Sequence, residues 1–320
     1  MRPVSFSAPG KLMLFGEYAV LEGHPAVALC FDARIRCTAA AGGGALRFDA
    51  PSLLGDAGPL IVDDLPTEAP DPALCLLWPL LRAAVPVLEG LTLRFEAGFP
   101  HTWGLGSSSA SSLAAVAAVN TLLGRSIQPR ELFWTVRALQ RGVQGAASGY
   151  DAATQLLGGA VRFVGGDTPV FQRIPVAGAP QWIVAWTGVK ASTGEMIRDV
   201  RSRHPVGHGI YGRIGALAGQ GEACLRAGDL PGLGAAMNAG HELLSELGAV
   251  PDDIEGLVLA LQGDPCVHGA RMAGAGGGDC ILILAQDPPG ASQAARAHGF
   301  EVLPIRFEEH GLRAETPEDP

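Results

Sequence analysis

A chain of 320 residues with 48% hydrophobic and 17% charged residues is long enough for two domains and has the make-up of a folded protein, not a disordered one. Its formal net charge of −9 argues against a general nucleic-acid binder, although a polyanion can be met by cations gathered in one cleft or by a metal that travels with it. The six cysteines (Cys30, Cys37, Cys75, Cys224, Cys266, Cys280) lack C-x-x-C spacing and read as buried thiols, the N-terminus has no apolar signal core, and no run reaches membrane-spanning length, so a cytoplasmic protein without a membrane partner is expected.

In chain order, residues 4–7 and 12–15 predict two short strands, with Pro9-Gly10 between them as hairpin punctuation and Lys11 just beyond the turn. Gly16-Glu17-Tyr18 makes the next turn. Residues 26–36 and 46–48 predict strands, and 49–72, rich in proline, glycine and acids, a surface loop. Residues 72–87 predict a helix despite Pro79, and 91–96 alternate as a strand. Then Trp103-Gly-Leu-Gly-Ser-Ser-Ser-Ala-Ser-Ser112 packs two glycines and five hydroxyls ahead of an apolar run, a loop feeding a helix over about 110–123. Such a junction sets unpaired N–H groups at the positive end of the helix dipole, and glycine lets the backbone close on a phosphate. The same residues also suit an ordinary serine N-cap.

Residues 131–143 predict a helix with Leu132, Val136, Leu139 and Val143 on one face. Gly145-Ala-Ala-Ser-Gly-Tyr-Asp151 follows, and Asp151 stands where it could cap a short helix over 152–157. Strands are expected at 161–164, 172–174 and 181–186, and the proline and glycine density at 165–180 marks a boundary between domains 1–175 and 176–320. Helices are expected near 192–203, 209–227, 231–247 and 252–262. A glycine-rich loop, Ala273-Gly-Ala-Gly-Gly-Gly-Asp279, precedes a strand at 280–285, a helix at 290–298, a strand at 301–307 and a frayed tail after Gly311. His204 and His208 have the spacing of a helical metal pair, but Pro205 and Gly207 break that helix, so a surface loop is expected. Of the 23 basic residues only two are lysines, Lys11 and Lys190, and both fall in the segments that follow.

Three segments gain meaning together: Ala8-Pro9-Gly10-Lys11 with Gly16-Glu17-Tyr18, then Gly104-Leu105-Gly106-Ser107-Ser108-Ser109, then the loop 273–279. In this order they resemble the GHMP superfamily of galacto-, homoserine, mevalonate and phosphomevalonate kinases, from Ser7 to about Leu284. Within it the details look like phosphomevalonate kinase. Tyr18 stands where mevalonate kinases usually carry histidine, and Asp279 where they usually carry glycine; Ser148-Gly149-Tyr150-Asp151 and Trp186-Thr-Gly-Val-Lys-Ala-Ser-Thr193 follow the phosphomevalonate pattern. Gln140 departs from the family, standing where mevalonate kinases place a magnesium-binding glutamate.

The resemblance implies a two-domain α+β GHMP-kinase-like fold: an N-terminal mixed sheet with helices, a ferredoxin-like C-terminal domain, and the active site between them. It implies ATP and Mg²⁺ as cofactors, small-molecule partners only, and a monomer or homodimer. The implied reaction moves the ATP γ-phosphoryl group to the phosphate of (R)-5-phosphomevalonate, giving 5-diphosphomevalonate for isoprenoid precursor synthesis. Mevalonate kinase, or another superfamily member acting on an alcohol, is the first alternative; a non-catalytic ligand sensor is the second. Carried over residue by residue, Lys11 and Asp151 are catalytic. Gly104, Leu105, Gly106, Ser107, Ser108, Ser109 and Ala110 hold ATP, and Ser107 or Ser108 reaches the metal. The acceptor falls to Lys11, Tyr18, Ser148, Gly149, Asp151, Lys190, Ser192, Thr193, Gly276 and Gly277, with Arg137, Arg141 and Arg198 in reserve.

Overall fold

A computed structural model of the chain describes residues 1–51, 58–71, 74–144 and 147–316. Strand β1 (Val4–Phe15) runs unbroken through Pro9-Gly10 and pairs along its length with β2 (Pro25–Ala41), so the expected hairpin is not formed. The register instead shifts between Pro9 and Gly10, a bulge that spares the ladder a residue without an N–H. Because β2 spans 17 residues, its two halves face different neighbours. Residues 35–41 pair with β5 (Leu91–Ala97), and residues 25–29 with β6 (Ala160–Val164), which in turn pairs with β7 (Val170–Ile174). Strand β3 (Leu46–Asp49) joins β5 in parallel and β4 (Leu60–Val62) antiparallel, so the sheet is mixed. Strand β4 lies in the expected surface loop; residues 52–57 and 72 of that loop, and Gly145, lie outside the described residues.

A second, fully antiparallel sheet has the order β11 (Glu301–Val302), β8 (Gln181–Trp186), β10 (Cys280–Ala285), β9 (Val267–Ala273). It is buried on both faces. Cys280, Leu282 and Leu284 join the core of the first sheet, while Ile281 and Ile283 join a second core beneath the C-terminal helices. The chain passes from the first sheet to the second between Ile174 and Gln181 and then returns. Phe307 bridges to Phe31, and β12 (Arg313–Glu315) pairs with β1. The tail expected to fray is therefore an edge strand, held by the Arg34 guanidinium on the carbonyls of His310 and Gly311.

Helix α1 (Trp78–Leu88) begins later than the expected 72–87. Helix α2 (Ser107–Leu122) lies against β1 and β2 with α3 (Pro129–Gln144) and α4 (Tyr150–Leu157) over it. Its alanine- and valine-rich body is buried nearly all round, as suits a central helix. In the C-terminal half come α5 (Thr193–Arg203), α6 (Gly209–Ala227), α7 (Leu230–Glu246), α8 (Asp252–Gln262) and α9 (Pro288–Ala297). Helix α6 packs on β1, β2 and α7, and α7 packs on β9, so this pair ties the two sheets together. Among the described residues no helix is long and apolar enough to cross a membrane.

Candidate active site

The glycine-serine loop ends at Gly106, whose φ of +75° suits a residue without a side chain, and α2 starts there. Its first internal bond runs from the Ala110 N–H to the Gly106 carbonyl at 3.1 Å. The amides of Ser107, Ser108 and Ser109 come before that bond and find no carbonyl one turn back. Ser111 and Ser112 spend their hydroxyls on the carbonyls of Ser107 and Ser108, whereas Ser108 Oγ and Ser109 Oγ are buried without a protein partner. Free amides and unsatisfied hydroxyls at a helix start are a donor set that fits a polyphosphate. The same hydroxyls would suit a Mg²⁺ ion, which needs only one or two protein oxygens when a polyphosphate accompanies it.

Beside this helix start sits Lys11. The bulge at Pro9-Gly10 is clamped in place: the Lys11 N–H donates to Leu105 O at 3.0 Å, and the buried Gln155 amide donates to Pro9 O at 2.9 Å and Gly106 O at 3.0 Å. The Lys11 stem then passes directly over Gly106, where a Cβ would come within 2.6 Å of Cε. Its ammonium lies 2.8 Å from Asp151 Oδ1 and donates to the Tyr150 hydroxyl at 3.0 Å. Burial works to lower the Lys11 pKa, but the Asp151 carboxylate and Tyr150 together hold it above the ordinary lysine range. Burial pushes the Tyr150 hydroxyl up, so it stays protonated beside Asp151.

Asp151 and Tyr150 form one wall of a cavity. Ser148 and Gly149 continue that wall, Gln140 adds a buried amide, and Tyr18, Gly274, Ala275 and Thr193 close it from the other side. Tyr18 has φ +63° and donates its hydroxyl to the Ala275 carbonyl, fastening the third glycine loop to the cavity. Glu17 is ion-paired at 2.7 Å with Arg271 of β9, and both are almost wholly buried. Burial raises the Glu17 carboxyl despite the guanidinium beside it.

The fold thus gathers Tyr18, Ser148, Gly149, Asp151 and Thr193 around one cavity, with Lys11 at its edge against Asp151, next to the loop 104–110. Five residues expected at the acceptor do not line it; Lys11 reaches it only through Asp151. Lys190 is bonded to Asp279, Ser192 is the N-cap of α5, Gly276 abuts the Ala249 backbone, and Gly277 packs on Met196 and Ala191. Of the reserve arginines, Arg137 donates to Gly166 O and Arg141 to Ala147 O, and neither lines the cavity. His204 and His208 face each other with ring centroids 4.9 Å apart, His208 Nδ1 caps α6 by accepting the Ile210 amide, and among the described residues no cluster of metal-ligating side chains is present. Tyr150 and Glu17 stand inside the quoted motifs without an expected role, and Gln155 and Arg271 stand outside them. Each acts through a partner distant in sequence.

The comparisons with known proteins agree with this fold. The model of the GHMP kinases N terminal domain matches residues 73–159, and that of the GHMP kinases C terminal matches residues 222–302. The mevalonate kinase of Aeropyrum pernix is 30% identical over 88% of this chain and 89% of its own, and that of Thermococcus sibiricus 29% identical over 97% of each. Among solved structures, a protein from Listeria innocua has a TM-score of 0.84 at 19% identity, covering 99% of this chain and 100% of that one. Streptococcus pneumoniae phosphomevalonate kinase in complex with phosphomevalonate and AMPPNP has a TM-score of 0.80 at 20% identity, covering 96% and 100%. L. major mevalonate kinase in complex with R-mevalonate has a TM-score of 0.76 at 21% identity, covering 95% of each chain. The matched segments contain the α2 helix start, Asp151 and the third glycine loop, and on that sequence agreement the chain belongs to the GHMP kinases.

Proposed function

We propose that this kinase transfers the ATP γ-phosphoryl group to the hydroxyl of a small hydroxy-carboxylate, with mevalonate as the acceptor. The observation that carries this reading is the charge of the cavity. Among the described residues no arginine or lysine lines it, and the ammonium at its edge, Lys11, is already paired with Asp151. Glu17 is matched by Arg271 and Asp151 by Lys11, so the lining holds no spare positive charge. A carboxylate on the acceptor can be met by the start of α5, where Thr193 faces the cavity. A phosphomonoester would bring nearly two further negative charges with no further cation to receive them. The resemblance of single motifs to phosphomevalonate kinases is thus outweighed by this charge balance, and by full-length relatives named mevalonate kinases.

Phosphoryl transfer asks the protein for positioning and charge stabilisation. The amides of residues 107–109 hold the nucleotide phosphates. Ser107 and Ser108 are the hydroxyls that would hold Mg²⁺, which when bound neutralises charge on the β- and γ-phosphates. As the acceptor oxygen bonds to the γ-phosphorus and the β–γ bridging bond breaks, the hydroxyl proton passes to Asp151. Lys11 steadies that carboxylate and the transferring group. The Tyr150 hydroxyl, held protonated, fixes the ammonium from the other side. A sensor without turnover would have no use for so closely paired a lysine and aspartate.

A coupled ADP-release assay on mevalonate, phosphomevalonate, homoserine and galactose tests the assignment. Turnover with mevalonate is expected. Turnover with phosphomevalonate in its place would restore the rival acceptor, and silence on all four would favour the sensor. Asp151→Asn is expected to lower kcat about 10²–10⁴-fold while KM for ATP changes little. A retained rate would remove Asp151 as the base.

A further inference from the structure

The chain has only two lysines, and the mechanism above uses one. Lys190 lies between β8 and α5, where its ammonium donates to Asp279 Oδ1 at 3.1 Å and the Ala191 amide reaches the same oxygen at 3.3 Å. Asp279 ends the third glycine loop in a left-handed conformation, with φ +61°. Its backbone is gripped on both sides. The N–H donates to Val189 O at 2.8 Å, and the carbonyl accepts both the amide and the hydroxyl of Thr187 at 3.0 Å. The second carboxylate oxygen is turned toward the nucleotide loop: a Cβ on Gly104 would lie 2.9 Å from Oδ2. Next door, the Cys280 thiol donates to Trp103 O at 3.1 Å. Burial and Asp279 raise the pKa of this thiol, while Lys190 and Lys11 both pull it down, so the two ammonium groups bear on one point beside the loop.

A carboxylate at the rim of a polyphosphate site repels the ligand unless a cation stands with it. The Lys190 side chain is 42% exposed, and its flexible stem leaves the ammonium free to turn from Asp279 to a phosphate oxygen. We propose that Lys190 serves the nucleotide's phosphates and not the acceptor, and that Asp279 is the positioning residue that holds it at the loop. The proposal rests on the reading of residues 104–110 as the nucleotide loop.

Calorimetric titration of the full-length chain with AMPPNP and Mg²⁺, and with adenosine, tests it. Lys190→Met is expected to weaken AMPPNP binding about tenfold, the worth of one charge-assisted contact, and to leave adenosine binding unchanged. Its AMPPNP affinity should also depend less steeply on salt than that of the wild type. Lys190→Arg should recover part of the loss, because the charge remains. The double variant Lys190→Met/Asp279→Asn should bind AMPPNP more tightly than Lys190→Met alone, since the uncompensated carboxylate is gone; a merely structural pair would not give that sign. Wild-type affinity in Lys190→Met, a rise confined to the acceptor KM, or a double variant no tighter than the single would each overturn the proposal. A wild-type chain that does not bind AMPPNP would overturn the nucleotide-loop reading itself.

Discussion

Lys11 and His241 are both buried ionisable groups, and their surroundings push them in opposite directions. For Lys11 the attraction of Asp151 and Tyr150 overcomes burial, so its pKa rises and its stabilising contribution is fully present below the unfolded value of 10.5, fading only at higher pH. Lys11 therefore stays charged through the working range. For His241 burial prevails even though a carboxylate stands near. The imidazole is wholly buried on α7, its Nδ1 accepts the Met272 amide at 3.4 Å, Arg271 lies near, and Glu255 stands 3.5 Å from Nε2 with one oxygen already taking the Ser245 hydroxyl. Burial and then Arg271 lower its pKa from 6.5 to about 4. Between those values the unfolded chain binds the proton and the folded chain does not, so stability falls as pH falls. His241→Asn, which keeps an acceptor for the Met272 amide, should remove a slope approaching about 1 kcal/mol per pH unit from urea melts between pH 6 and 5. Parallel slopes in the two proteins would show that His241 titrates normally. The pairing of Lys11 with Asp151 was legible in the sequence because both sit in the motifs that carry the resemblance. The surroundings of His241 were not, because Arg271 and the Met272 amide come from a segment distant in sequence.

At the scale of elements, the helices were readable because their apolar spacing is local, whereas three features depend on pairing that the local pattern hides. Pro9-Gly10 has the composition of a turn, but β2 is long enough to carry the strand past it as a bulge. Strand β9 drew no expectation, since Val-His-Gly-Ala-Arg-Met-Ala mixes a glycine and two basic residues into a run that is nevertheless largely buried. The tail became β12 because Arg34 and the β1 edge were waiting for it. The bulge bears on the proposed site through one close approach, at Gly106. Gly106 and Gly124 share a left-handed conformation, with φ of +75° and +70°, and alanine costs about 1 kcal/mol of backbone strain at either. A Cβ at Gly124 meets nothing within 4 Å, while one at Gly106 meets Lys11 Cε at 2.6 Å and Gln155 Nε2 at 3.2 Å. Gly106→Ala should therefore lower kcat by roughly tenfold or more through a displaced ammonium, with Gly124→Ala near wild-type turnover. Equal turnover in the two variants would show that the Lys11 stem yields without consequence.

Across the whole molecule, β1 is the strand that serves both halves: it carries Lys11 to the glycine-serine loop, and the turn after it brings Glu17 to Arg271 of β9 and Tyr18 to the third glycine loop. The Glu17–Arg271 pair is the charged part of that junction, with the guanidinium also 5.4 Å over the Phe15 ring and Gly240 leaving it room. Losing one member strands the other in the interior, so Arg271→Met should cost about 3–5 kcal/mol at neutral pH. Glu17→Gln/Arg271→Met, which leaves no charge behind, should recover most of it. The two variants should also part company in acid. Burial already raises the Glu17 carboxyl above its ordinary 4.5, and removing the guanidinium raises it further. In Arg271→Met the folded chain then takes up a proton at a pH where the unfolded chain does not, so its deficit shrinks as pH falls toward 4.5, while the double variant gains nothing from that proton. Urea melts from pH 8 to 5 read both effects. A single and a double variant equally unstable at every pH would mean that Arg271 holds the halves together through its packing on Phe15 and not through its charge.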